Sequence, residues 1–509
     1  MNDATTLWTE KPQPVLLTEA IRSKLANPER SSAIDLHAAT NQVLKDVGMS
    51  TADSGGKLTF YGGDPIIPSP HRFGTMAALG LAARSVAVAA LWQHRTGEGQ
   101  DIAVDVRKAF RRFSGFFEGK WETVNGRPPA MGATASNPFY DFPMFRETRD
   151  GRYVVALNVY PKLAVRALNF LRCSPSAESV NNAILQWRAE DLENAAAEAG
   201  LVIAMVRTNE EFRKELQYTE VLSRMPLITV EKIGESDPIP FKKDGKSPLD
   251  GIRAFGMGHV IAGGGMGRDL AYYGADVLNI WRPDDTEIES FFWDVQVGMR
   301  STILDYSKED RAKFNRLLKD ADIFFANKRP GYLERNGLGA EELSAKKPGL
   351  IHATVLLHGD KGPWKNRPGF DEVGAAVSGL FCIEGTPAHP KSPPIIPICD
   401  NVVGWLGTVG TLAALRRRAV EGGSYRVTVS LTRTVLWLLS LGIFDRAYAQ
   451  ATAGSSDEHA YVAPDLFTAE TPLGTYQGMT DQVVLSRTPG SFRTVLMPRG
   501  SSKPEWLAR

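Results

Sequence analysis

Five short apolar runs, separated by helical patterns, predict an α/β protein with an open parallel sheet and a smaller α+β domain ahead of it. The runs are GIRAFGMG, DVLNIW, STILDY, DIFFAN and GLIHATVLL, all beyond residue 250 and each suited to a buried strand. The clearest helical pattern between them, at 308–321, puts Phe314, Leu317, Leu318 and Ala321 on one face, with Ser307 and Asp310 at capping-box spacing. Strand alternating with helix implies a parallel sheet covered on both faces. The smaller domain rests on a third observation. After the Pro/aromatic stretch NPFYDFPMF, the Asp150-Gly151 pair and the alternating residues of RYVVALNV read as a hairpin and sheet.

Taken in order, residues 1–50 are polar and weakly patterned and read as an N-terminal arm with a helix over about 33–47. Residues 51–130 hold a long run of apolar and small residues (72–94), a turn (RTGEGQ) and a β-type run (DIAVDV), assigned to the large domain. Residues 131–230 form the smaller α+β domain, with helical patterns over 161–218. Residues 231–250, rich in Pro, Gly and charge, read as a linker. The large domain proper covers 251–450, and 451–509 is an extension of loops and short strands.

Composition narrows the classes of function. With 59 Lys and Arg against 58 Asp and Glu, the net charge is +1, and nothing global favours nucleic acid or an anionic membrane. No apolar run is read as a membrane span. The start, MNDATTLWTEKPQP, is acidic and has no apolar h-region, so a secretory leader is not expected. Cys173, Cys382 and Cys399 have no CxxC spacing and the eight histidines form no HExxH, so neither a disulfide framework nor a metal site is expected. A cytoplasmic protein is the expectation.

One phrase occurs twice. PIIPSPH at 65–71 and PIIPICD at 394–400 each precede a long buried helix, a Gly-rich turn and a strand-like run. One copy ends in His71, the other in Asp400, and neither alignment of the copies gives the first a carboxylate. His71 reads as a solvent-facing turn residue. From local sequence alone, Asp400 reads as the N-cap of the helix that follows.

The run GIRAFGMGHVIAGGGMGRDLAYYGADVLNIWR resembles the opening of class III CoA-transferases. The likeness continues through MRSTILD, ANKRPGYLERNGLG and RPGFDEVGAAVSG to the Asp400 segment, ending near 431. Residues 65–250 look like that family's later portion, so the halves stand in rearranged order. The resemblance implies a Rossmann-like sheet, an interlocked homodimer, and acyl-CoA and a carboxylic acid as partners, with no permanently bound cofactor. It implies that Asp400 is a nucleophile forming an aspartyl-CoA thioester, with helix N-terminal N–H groups near the developing oxyanions. It implies that His259, Val260, Ala262, Arg282, Asn327, Lys328 and Arg335 hold CoA.

Two positions depart from the family pattern. Trp281 stands where the family often has an acidic residue. Phe370 stands where the racemase branch has a proton-transferring His, which argues against racemase chemistry. Asp371 and Glu372 could do acid–base work, although a solvated helix start is the plainer reading. Cys399 reads as a small buried Cys rather than a thiol nucleophile. The glycines of GMGHVIAGGGMG suit close helix–strand packing better than dinucleotide binding. A CoA-dependent lyase or hydrolase, and a non-catalytic acyl-CoA-binding protein, stay open beside the transferase.

Overall fold

The computed structural model describes residues 14–113, 115–130, 137–140, 144–306 and 309–508. Residues 1–13, the expected capping residue Ser307 and part of the NPFYDFPMF stretch lie outside the described residues. Seven strands build the main sheet: β1 (Ile228–Gly234), β2 (Arg253–Met257), β3 (Asp276–Trp281), β4 (Arg300–Ile303), β5 (Ile323–Ala326), β6 (Ile351–Leu356) and β7 (Ser424–Ser430). Their spatial order is β4-β3-β2-β5-β6-β7-β1. Every neighbouring pair is parallel except β7 with β1. The five runs read from sequence supply β2 to β6. They are mostly apolar because helices cover both faces; all four residues of β5 are buried, while β4 at the sheet edge reads Arg-Ser-Thr-Ile.

The chain lays down β2, β3 and β4 to one side and then returns to place β5 on the other side of β2. Loops after β2 and β5 therefore diverge and leave a crevice at the carboxyl ends of the strands. β1 corrects the linker reading, because residues 231–234 belong to this edge strand. Its charged residues Glu231 and Lys232 are exposed, as an edge tolerates.

Five helices matter for the site: α1 (Phe73–Thr96), α2 (Pro161–Leu171), α3 (Ala262–Tyr272), α4 (Asp371–Ser378) and α5 (Asp400–Glu421). α1 and α5, the helices that follow the two PIIP phrases, pack directly together. A Cβ on Gly80 of α1 would stand 3.0 Å from the Trp405 ring of α5. α1 is long and apolar enough to cross a membrane, contrary to the sequence expectation, but its most apolar window lies wholly inside the fold. His71 is a second correction. It is 1% exposed, with Nε2 3.3 Å from the Leu380 carbonyl oxygen, and burial lowers its pKa to about 4.

The smaller domain has an antiparallel sheet of Phe145–Glu147, Tyr153–Ala156 and Ile203–Met205. The hairpin turns at Gly151, whose φ is +69°. The strand Ile203–Met205 falls inside a stretch read as helical; a run this short has no periodicity to separate the two states. The expected arm is partly built into the fold, since Val43, Leu44 and Val47 are buried around the helix Leu36–Lys45. The predicted strand DIAVDV forms as Ile102–Asp105, in a separate sheet between Leu58–Tyr61 and Val483–Leu485.

Charges are buried where α1, α3, α5 and the C-terminal extension meet. Arg84 of α1 donates to Asp269 of α3 at 2.7 Å and pairs with Asp481, which also accepts from the Tyr273 hydroxyl at 2.7 Å. Arg112 pairs with Asp294 at 2.7 Å. Burial, with the Asp294 carboxylate adding, pushes Glu122 up to about 8. Its unfolded-state value is 4.5, so its contribution to stability is fully present below pH 4.5 and declines as pH rises toward 8. Glu122→Gln should therefore raise Tm relative to wild type at pH 8, by an amount corresponding to a few kcal/mol, and leave it nearly unchanged at pH 4. Thermal melts at the two pH values check this.

Candidate functional site

A cavity of about 440 Å³ opens at the carboxyl ends of the sheet strands. The loop after β2 brings His259, Val260 and Ala262 to it, and the end of β3 brings Arg282. The loop after β5 brings Asn327 and Lys328, and the first turn of α5 brings Asp400. The smaller domain closes the opposite side with Tyr160, Leu163 and Arg166 of the segment leading into and along α2. Both walls come from one chain. Arg335 is the exception among the expected binding residues. It is exposed at the end of the short helix Tyr332–Arg335 and does not line this cavity.

Asp371 organises the start of α5. Its Oδ2 accepts the backbone N–H groups of Ile398 and Cys399 at 2.7 Å and of Asp400 at 3.1 Å. The expectation of a solvated Asp371 is thereby overturned: it is 0% exposed and caps α5 from outside the helix. The expectation that Asp400 is the cap falls with it. These three N–H groups, expected near developing oxyanions, are committed to Asp371. Among the described residues no donor reaches the Asp400 carboxylate, which is 7% exposed and lines the cavity. Burial, and then the Asp371 charge, hold the Asp400 carboxyl well above the usual range. Glu372 joins the cluster; burial, Asp371 and Asp400 push it up as well. Cys399 is fully buried with Sγ 3.6 Å from the Leu431 carbonyl oxygen, and burial raises its thiol far up, as the small buried Cys reading expects.

Two asparagines fix the loop after β2. Asn279 accepts the Gly258 N–H at 2.9 Å and donates to the Gly258 carbonyl at 2.8 Å. Asn327 does the same for His259, at 2.9 and 2.7 Å. The Asn327 amide is thus spent on the protein backbone, and its role is to position the loop. Val260 is held at φ +54°, a conformation that a β-branched residue adopts at about 1–3 kcal/mol of strain. Glu287 stabilises it: Oε2 accepts the Val260 N–H at 2.7 Å, while Oε1 accepts the Tyr160 hydroxyl at 2.6 Å. This links the smaller domain to the loop. The glycines keep the packing close. A Cβ at Gly263 would lie 2.4 Å from Asn327 Oδ1, and one at Gly256 would lie 2.1 Å from the Phe325 ring.

Charge is concentrated on the other side of the cavity. Asp285 faces Arg282 at 3.1 Å, His259 at 3.7 Å and Lys328 at 3.8 Å. Burial opposes the Asp285 carboxylate, but Lys328 and Arg282 outweigh it and hold it below its usual range. Burial lowers Lys328 to about 8, and burial with Lys328 keeps His259 neutral, well below its ordinary value. Arg166 and Arg329 meet across Gly200 and donate to the carbonyls of Ala199 and Gly200. Trp281 is 0% exposed, its ring 4.2 Å from that of His259, and is spent on supporting that imidazole.

Sequence reading missed Asn279, Glu287 and Tyr160, and misjudged Asp371. The first three carry no motif; only the folded loop shows what they hold. Asp371 sits in RPGFDEV, and the helix it caps begins 29 residues further on.

Residues 249–484 match the family model described as CoA-transferase family III. The acetyl-coenzyme A transferase nodX of Hypoxylon pulicicidum is 33% identical over 208 residues, which is 39% of this chain and 35% of that protein. The succinyl-CoA–D-citramalate CoA-transferase of Chloroflexus aurantiacus is 32% identical over 205 residues, 38% of this chain and 51% of its own length. The succinyl-CoA–L-malate CoA-transferase alpha subunit of Chloroflexus aurantiacus is 30% identical over 242 residues, 43% of this chain and 56% of its own. The chain thus spans between about a third and just over half of these relatives. A crystal structure of Rv3272 from M. tuberculosis aligns over 38% of this chain and 57% of its own, at 31% identity and a TM-score of 0.35. The motifs read from sequence over 251–431 fall within this matched segment.

Proposed function

We propose that the chain moves coenzyme A from an acyl-CoA thioester to a carboxylic acid, with Asp400 as the nucleophile. The observation that carries this reading is a buried carboxylate, relieved of capping by Asp371, in the same cavity as a cluster of cations. An Asp400 oxygen attacks the thioester carbonyl; the C–S bond breaks, CoA leaves as thiolate, and a mixed anhydride remains. The thiolate attacks the Asp400 carbonyl, the donor acid leaves as carboxylate, and an aspartyl-CoA thioester forms. The acceptor carboxylate then attacks this thioester and releases CoA thiolate again. The thiolate takes the acceptor acyl group and frees Asp400. No step needs a proton.

The CoA phosphates would be met by Arg282 and Lys328, with Arg166 and Arg329 on the facing wall. His259, Val260 and Ala262 would lie along the nucleotide or pantetheine, on a backbone that Asn327, Asn279 and Glu287 hold in place. Cavity lining by both domains of one chain supports a site that a single chain completes.

Asp400→Ala should abolish a hydroxylamine-sensitive CoA adduct seen by intact-protein mass spectrometry and lower turnover by at least about a thousandfold, while CoA still binds. Equal turnover by that variant would remove the mechanism. A carboxyl held well above the usual range becomes an anion only as pH rises through that raised value. The rate of adduct formation should therefore climb with pH from acidic conditions. In Asp371→Asn the loss of the neighbouring charge should move that rise to lower pH, read from single-turnover rates across a pH series. Asp371→Ala also leaves three N–H groups without their acceptor and should destabilise the fold by about 1–3 kcal/mol, measured by denaturant unfolding.

A further inference from the structure

We propose that the acyl group handled at Asp400 is apolar and carries no second charge, an inference that rests on the CoA-transfer reading and deepens it to a substrate class. The wall beside Asp400 is hydrocarbon and aromatic. Phe370 precedes the capping Asp371 and stacks on Tyr160, ring centroids 6.1 Å apart at 28°. Leu357 packs against Gly369, its Cδ2 2.7 Å from where a Cβ would stand. Leu431 lies beside Cys399, next in sequence to Asp400. All four side chains line the cavity.

The titratable groups nearest Asp400 are buried carboxyls. Asp371 and Glu372 both act on Asp400 or are acted on by it, and Glu287 sits on the Tyr160 hydroxyl. The cation that lines this side, Arg367, is held by Glu193 at 2.9 Å and lies 4.3 Å over the Trp364 ring. Lys328 and Arg282 stand about Asp285 on the other side, where the CoA phosphates would be met. A second carboxylate on the acyl group would lose hydration against this apolar wall, with Arg367 already paired to Glu193. A branched or aromatic acyl chain would instead cover Phe370, Tyr160, Leu357 and Leu431.

The test uses the full chain and single-turnover formation of the CoA adduct from acetyl-, isovaleryl-, benzoyl- and succinyl-CoA. The expected result is a second-order rate of adduct formation for isovaleryl- or benzoyl-CoA at least about tenfold above that for succinyl-CoA. Phe370→Ala should narrow that gap, and Leu357→Arg should raise the succinyl-CoA rate relative to the apolar esters, with circular dichroism and CoA binding establishing that each variant folds. Adducts that form while succinyl-CoA reacts as fast as the apolar esters would overturn this inference alone. No adduct from any of the four esters would remove the transfer reading and this inference with it.

Discussion

The candidate site depends on one carboxylate that does not line its cavity, Asp371. Asp371 gathers three consecutive backbone N–H groups at the start of α5. A helix start carries unpaired donors and the positive end of a dipole, and something acidic must meet them. Because a residue from another helix supplies that group, Asp400 is left with its side chain turned to a cavity instead of folded back on its own backbone. The same arrangement places two carboxylates together in a buried place, which raises the Asp400 pKa. Asp400 is thus poorly solvated and held close to a second carboxyl.

Around it the cavity separates two kinds of surface. Apolar side chains from the ends of β6 and β7 and from the segment before α4 lie beside Asp400, while cations from the loops after β3 and β5 gather about Asp285. The loop after β2 runs between them in a strained conformation that neither its sequence nor its solvation favours. It stays there because Asn279, Asn327 and Glu287 satisfy its peptide groups in turn. Residues from both sides of position 250 contribute walls, so the order in which the chain presents its halves does not prevent one chain from enclosing the cavity.

The sequence by itself determined the parallel sheet, since strands buried on both faces are mostly apolar and so stand out between helical patterns. It also determined the hairpin of the smaller domain, whose turn is written in Asp150-Gly151, and the resemblance to CoA-transferase family III, whose motifs run in order from 251. It placed Asp400 at a helix start, and His259, Val260, Ala262, Arg282, Asn327 and Lys328 in loops that the sheet order then brought to one crevice. Tertiary structure alone decided which carboxylate caps and which is free, because Asp371 and Asp400 lie on different helices and either could do either task. It decided that the Asn327 amide is spent on backbone, that Arg335 lies outside the cavity and that His71 is buried. Those outcomes depend on which groups desolvation leaves without water, and that is a property of packed neighbours and not of residue order.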